Sequence, residues 1–205
     1  LFVFSSIGAI LLVSFQNLTM LFLGTEILSI PLYVLAASNR KNLASNEAGL
    51  KYYLLGSFAT CFMLLGITLI YGAYGSFDLD VITTARESMG ASSLFSTGLF
   101  LGICAFIFKI GAVPFHFWAP DVYHGAPTVL TAFVSTVVKL AIFGALIKFV
   151  SFIGLQPKVH WVLLLTLVSI ASMVFGNLAS LKQENFKRLM AYTGIANAGF
   201  VLIAY

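Results

Sequence analysis

Charge is what this sequence has least of. Only 9% of its 205 residues are Asp, Glu, Lys or Arg, where a typical soluble domain has about 25%. Cysteine is almost missing too: Cys61 and Cys104 each stand alone in an apolar run, which excludes a disulfide framework and a CxxC metal or redox site. Both read as small core residues. The sequence holds no GxGxxG, no GxxxxGK[ST] and no metal-ligand cluster, so nucleotide, flavin and iron–sulfur binding have no home in it. No two histidines fall mid-span on different helices, which leaves haem ligation unsupported. The start at Leu1 has neither the charged region nor the cleavage site of a signal peptide, and the chain reads as a piece of something longer. Its net charge of +4, from 11 basic and 7 acidic residues, is too scattered for a nucleic-acid footprint.

What is abundant is hydrocarbon. Hydrophobic residues make up 60% of the chain and the mean hydropathy is +1.02, which predicts an all-α, polytopic transmembrane helix bundle. A bilayer core needs about 20 apolar residues per crossing, and the polar residues divide the chain into roughly seven segments on that scale. These are Leu1 to Phe15, Leu18 to Ala37, Glu47 to Tyr74, Leu94 towards Trp118, Pro127 to Val150, Val159 to Ser180, and a last one starting near Lys187. Gly75 to Ser93 is the long polar connection. Arg40, Lys41, Lys182, Lys187 and Arg188 fall in or beside the loops after the second and sixth segments, while Arg86, Lys148 and Lys158 fall on the other side. The positive-inside rule places the first set in the cytoplasm. Tyr52, Tyr53, Tyr71, Tyr74, Trp118, Tyr123 and Trp161 lie near segment ends, where rings favour the headgroup level. Gly24, Gly56, Gly66, Gly102 and Gly144 read as packing residues.

Inside this hydrocarbon stand a few charges. On insertion scales each costs roughly 2.5 to 3.5 kcal/mol at mid-membrane, and proton or ion pathways are the usual reason for it. At a rise of about 1.5 Å per residue, Glu26 lies ~12 Å into its segment, Lys139 ~18 Å and Lys109 ~22 Å, with Lys51 only ~6 Å in. Three lysines against one carboxylate leave positive charge uncompensated. Desolvation and like-charge repulsion both favour a neutral amine, so such a lysine can pass on its proton. Pro114 beside Gly111 predicts that the helix kinks or unwinds just past Lys109, and Pro31 frees the Ile27 carbonyl one residue after Glu26. Freed carbonyls at membrane depth can hold a cation or water. His116 follows the break and has the ionisation range of a proton relay; an interfacial histidine is the alternative. His124 and His160 read as loop or interface residues.

The run VPFHFWAPDVYHGAP from Val113 to Pro127, with Lys109 before it and Lys139 after it, resembles the antiporter-like subunits of respiratory complex I. Its form PDVYHGAP is similar to the subunit N branch. So are LFLGTEILSIPLYVLAA around Glu26, NEAGLKYYLLGSFAT around Lys51 and NLASLKQENFKRLMAYTGIANAGF near the end. The resemblance implies an antiporter-like fold of inverted five-helix repeats with a broken helix. Residues 1–150 would be the first repeat and 151–205 the incomplete start of the second. It also implies proton transfer by Glu26, Lys109, Lys139, Lys51 and His116, with Glu26 as the charge partner of Lys109. NADH, flavin, iron–sulfur clusters and quinone belong on this reading to partner subunits, and the immediate partners are other membrane subunits and the lipid of a bacterial inner membrane. The family's SIAHxG is TGIANAG here, so Asn197 stands in place of a histidine. The rival readings are a subunit of a sodium/proton antiporter complex or membrane-bound hydrogenase, and a purely structural membrane subunit.

Overall fold

Polar side chains stand at the points where the apolar runs begin, and there they start helices. Asn17, Asn42, Asp78, Ser92 and Asn185 each accept a backbone N–H of the first turn that follows, satisfying donors that a helix start leaves unpaired. The computed structural model describes residues 1–90, 92–152 and 159–204. Among these it has ten α-helices: α1 Phe2–Ser14, α2 Leu18–Ala36, α3 Leu43–Tyr74, α4 Leu79–Met89, α5 Ser93–Ile110, α6 Trp118–Gly125, α7 Thr128–Phe133, α8 Lys139–Phe152, α9 Val159–Ser180 and α10 Phe186–Leu202. A π-helical stretch, Val134–Val138, joins α7 to α8. No strand occurs among the described residues, only an isolated bridge between Asn17 and Asp78.

Among the described residues, five stretches are long and apolar enough to cross a membrane: α2, α3, α5, Thr128–Ser151 and Trp161–Ser180; α1 is a shorter apolar helix. At 32 residues, α3 is about 48 Å long against a hydrocarbon core of about 30 Å, so part of it stands outside the core or tilts. It begins four residues before the expected Glu47, where Asn42 caps it.

The limits of the segments sharpen here. The connection from Gly75 to Ser93 contains α4, because Asp78 supplies an N-cap and Gly75, at φ 70°, ends α3. The crossing that begins near Leu94 ends at Ile110, where Gly111 takes φ 75°, at the break expected just past Lys109. Pro31, by contrast, does not break α2, which continues through it to Ala36; its buried ring sits in a helix whose neighbours hold it in place. Lys158 and the side chain of His160 lie outside the described residues.

Helix pairs close on glycine. A Cβ on Gly66 of α3 would meet the Gly98 carbonyl of α5 at 2.7 Å, and one on Gly199 of α10 the Ser169 carbonyl of α9 at 2.7 Å. Without side chains the backbones approach directly. Gly24 closes on the Leu12 backbone in the same way, Gly56 and Gly102 make room for the rings of Tyr33 and Phe149, and Gly144 is not tight: its nearest neighbour is Val13 at 3.4 Å, an ordinary contact.

The segment ends fall on two sides. Leu18 donates to the Phe77 carbonyl and Leu79 to the Gln16 carbonyl, which joins the α1–α2 turn to the start of α4. The starts of α3 and α10 meet elsewhere, through Lys51, Asp121 and Arg188. That is the alternation expected of the loops after the second and sixth segments.

Candidate functional site

Glu26, Ser29 and Tyr33 recur at helical spacing on one face of α2. Lys109 reaches that face from the last turn of α5. Its side chain is buried, the residue only 9% exposed, and Nζ donates to Ser29 Oγ at 3.1 Å. Around it is a small cavity of about 10 Å³ lined by Ser29, Tyr33, Tyr52, Gly56, Phe108, Trp118, Val138 and Ile142. That is at the lower limit for a single water. The expected ion pair is absent: Glu26 and Lys109 form no contact within 4.0 Å, and Glu26 Oε1 is buried without a hydrogen-bond partner. Ser29, one turn on from Glu26, takes the position the carboxylate was expected to hold. Nothing in the sequence singled out Ser29 except its i+3 spacing from Glu26.

Directly after Lys109 the helix stops. Gly111 N–H and the Trp118 indole N–H both donate to the Phe108 carbonyl, each at 3.0 Å. The Val113 N–H finds Ser172 Oγ of α9 at 2.9 Å, and the Val113–Pro114 peptide is cis. The chain then turns into α6, carrying His116 through the break. The His116 ring packs on Phe175 of α9, with centroids 4.3 Å apart, and Nδ1 is buried without a partner. His116 is therefore half-buried at the break, beside a different helix from the one that holds Glu26.

The aromatic residues of this region do not sit where headgroup anchors sit. Tyr52, Trp118 and Tyr123 are 7%, 4% and 2% exposed, and Tyr52 stacks on Trp118 at 5.1 Å and 11°. The break turns α6 back onto α3, so Tyr52 and Trp118 become part of the wall of the Lys109 site, while Tyr123 lines the cavity beside Lys139. Tyr53 and Tyr71 do face outward. Cys61, expected in the core, is also exposed, on the outer face of α3.

Lys139 occupies a second, different site. It follows the π-helical stretch, and Nζ donates to the Gly194 carbonyl of α10 at 2.6 Å. It lines a cavity of about 640 Å³ between α7–α8 and α10, whose hydroxyl and amide groups come from Thr128, Thr131, Ser135, Thr136, Thr193 and Asn197. π-Helical bulges are frequent at functional sites, and no sequence signal marked this one. The two sites share α8 as a wall. Val138 and Ile142 face the Lys109 cavity, and Lys139 and Phe143 the larger one.

Lys51 is not brought to either lysine. It sits two turns into α3, with Nζ 2.7 Å from Glu47 and 2.6 Å from Asp121, whose other oxygen lies 2.6 Å from Nη2 of Arg188. Asp121 is the acid of the PDVYHGAP run, and sequence reasoning passed over it because a lone carboxylate near a segment end looks solvated.

The comparisons with known proteins agree with this architecture. Residues 16–205 match the model of the NADH:quinone oxidoreductase/Mrp antiporter transmembrane family. NADH-quinone oxidoreductase subunit N of Cytophaga hutchinsonii is 50% identical over 205 residues, which are 100% of this chain and 44% of that protein. The subunit N of Trichlorobacter lovleyi is 42% identical over 204 residues, 98% of this chain and 42% of that protein. Among solved structures, a chain of respiratory complex I from Thermus thermophilus superposes with TM-score 0.81 at 40% identity, covering 96% of this chain and 42% of that one. A chain of the Mrp complex from a Dietzia species superposes with TM-score 0.86 at 22% identity, covering 97% of this chain and 36% of that one, a likeness of fold alone. The chain thus spans less than half the length of these relatives. It is a multi-pass integral membrane protein, and it belongs to the NADH:quinone oxidoreductase/Mrp antiporter transmembrane family.

Proposed function

We propose that this chain moves protons across the membrane as part of a membrane-arm subunit of a proton-pumping NADH-quinone oxidoreductase. The observation that carries this reading is Lys109 itself: a lysine enclosed by protein, held by one hydroxyl, with an unpartnered carboxylate oxygen of Glu26 nearby. Its amine meets one neutral hydroxyl, and a change in the distance of Glu26 changes the field at that amine. The names of the relatives, at 42–50% identity, favour the quinone-reductase assignment.

In this reading Lys109 is the protonatable switch, held by Ser29, and Glu26 is its charge partner through space. Lys139 is the next carrier, across the α8 wall. His116 serves as a relay at the break, and Lys51 is an outer member, fixed by its two carboxylates. Residues 1–150 form the first five-helix repeat and 151–205 begin the second. NADH, flavin, iron–sulfur clusters and quinone reside in partner subunits, and their electron transfer reaches this chain as movement or as a change of field.

The test is proton pumping measured with NADH–quinone electron transfer in membranes carrying the full-length subunit with Lys109→Ala. Loss of pumping with the complex still assembled is the expected result; unchanged pumping makes the lysine structural. Transport that depends on sodium would move the assignment to an antiporter complex.

A further inference from the structure

At eight residues, α6 is about 12 Å long, far short of the ~30 Å hydrocarbon core. The bilayer therefore cannot fix its depth or tilt, and its hold must come from neighbouring helices. At one end it hangs from the break after Lys109. At the other, Lys187 of α10 donates to the Ala126 carbonyl at 2.8 Å and Gly125 lies against the Ala44 carbonyl of α3, while from the first turn of the helix Asp121 binds two cations at once.

We propose that Asp121 is a positioning residue: a two-cation clamp that fixes α6 between α3 and α10 and thereby ties the Lys109 site to the Lys139 site. One carboxylate oxygen accepts from Lys51 Nζ of α3 at 2.6 Å and the other from Arg188 Nη2 of α10 at 2.6 Å. Charge-assisted bonds to both oxygens fix orientation as well as distance. Exposed ion pairs taken singly contribute little. This one is only 33% exposed at Asp121, and Glu47 completes a balanced group of two acids and two bases.

The clamp reaches both lysines through stiff elements. On one side, Asp121 is one turn from Trp118, whose indole holds the Phe108 carbonyl beside Lys109 and stacks on Tyr52, the neighbour of Lys51. On the other side, Arg188 is on the same helix as Gly194, the acceptor of Lys139. A shift of α10 against α3 therefore pulls on Asp121 and is felt at Trp118.

This inference rests on the reading of Lys109 and Lys139 as proton carriers, and its test separates the two. In the full-length subunit within the assembled complex, Ala119→Cys places a thiol at a position of α6 that is 5% exposed. Its rate of maleimide labelling, against the same subunit lacking that substitution, reports release of α6 independently of pumping. With Asp121→Asn we expect labelling to rise at least about threefold, as local opening dictates, and the ratio of protons pumped to electrons transferred to fall. Asp121→Glu should restore both. Unchanged labelling in Asp121→Asn overturns the clamp. Should that variant not assemble, Arg188→Gln is read in the same way, and absence of complex in both makes these residues folding determinants and overturns the positioning role. Normal pumping in Lys109→Ala ends the carrier reading, while the labelling result still decides whether Asp121 holds α6.

Discussion

Lys109 and Lys139 are both intramembrane lysines beside an irregular stretch of helix, yet the space around them differs. Lys109 lines a cavity of about 10 Å³ and is bonded to a hydroxyl, whereas Lys139 lines a cavity of about 640 Å³ and is bonded to a carbonyl. A closed site with one weak partner suits a switch, since a small displacement changes a large part of the electrostatic balance. The wider site, mostly apolar but carrying several hydroxyl groups, has room for water and suits exchange. The π-helical stretch and α8 together separate them by turning Val138 and Ile142 to one side and Lys139 to the other, so the irregularity just before Lys139 decides which stripe faces which cavity.

Four measurements would break or sharpen this contrast. The largest effect is expected from Lys109→Ala, which removes the proton-transfer group and should lower pumping about 10²-fold or more with assembly intact; Lys139→Ala, at a site where water can substitute, should lower it less. Next, cysteines placed at the two positions should differ about tenfold in labelling by a water-soluble thiol reagent, faster at Lys139→Cys, because exposure governs thiol reactivity. Equal rates would erase the distinction between closed and open. Glu26→Gln keeps shape and removes charge, so it should reduce pumping severalfold while complex content, read by native electrophoresis, stays near normal; no change in pumping would separate Glu26 from the Lys109 site. The smallest effects concern the frame. Gly66→Ala forces a Cβ against the Gly98 carbonyl at 2.7 Å and should destabilise by about 1–3 kcal/mol, seen as a lower midpoint of thermal unfolding in detergent, whereas Gly144→Ala, with Val13 at 3.4 Å, should stay within about 0.5 kcal/mol.

Much of this was legible in the sequence. Crossings, loop charges and the break after Lys109 follow from composition and from Gly111 and Pro114, which act locally. Contacts were harder. In water a helix shows its buried face by contrast with a polar one, but in lipid both faces are apolar. Met63 is buried and Leu64 exposed on the same helix, and no pattern of hydropathy distinguishes them. The same lack of contrast misplaced Cys61 in the core and sent Tyr52, Trp118 and Tyr123 to the headgroups. Pro31 misled for a different reason: a missing hydrogen bond is a local fact, but whether a helix breaks there depends on what its neighbours support.

The sequence by itself determined that this chain lies in a membrane, roughly where its crossings lie, and that lysines stand within the hydrocarbon, because hydropathy and helix breakers are properties of short stretches. Only the tertiary structure decided that Ser29 rather than Glu26 touches Lys109, that Lys139 opens on a cavity, and that Asp121 joins α3 to α10. Those facts depend on the depth and rotation of each helix against the others. Close glycine contacts and paired polar groups set both, across separations of many tens of residues that no local pattern records.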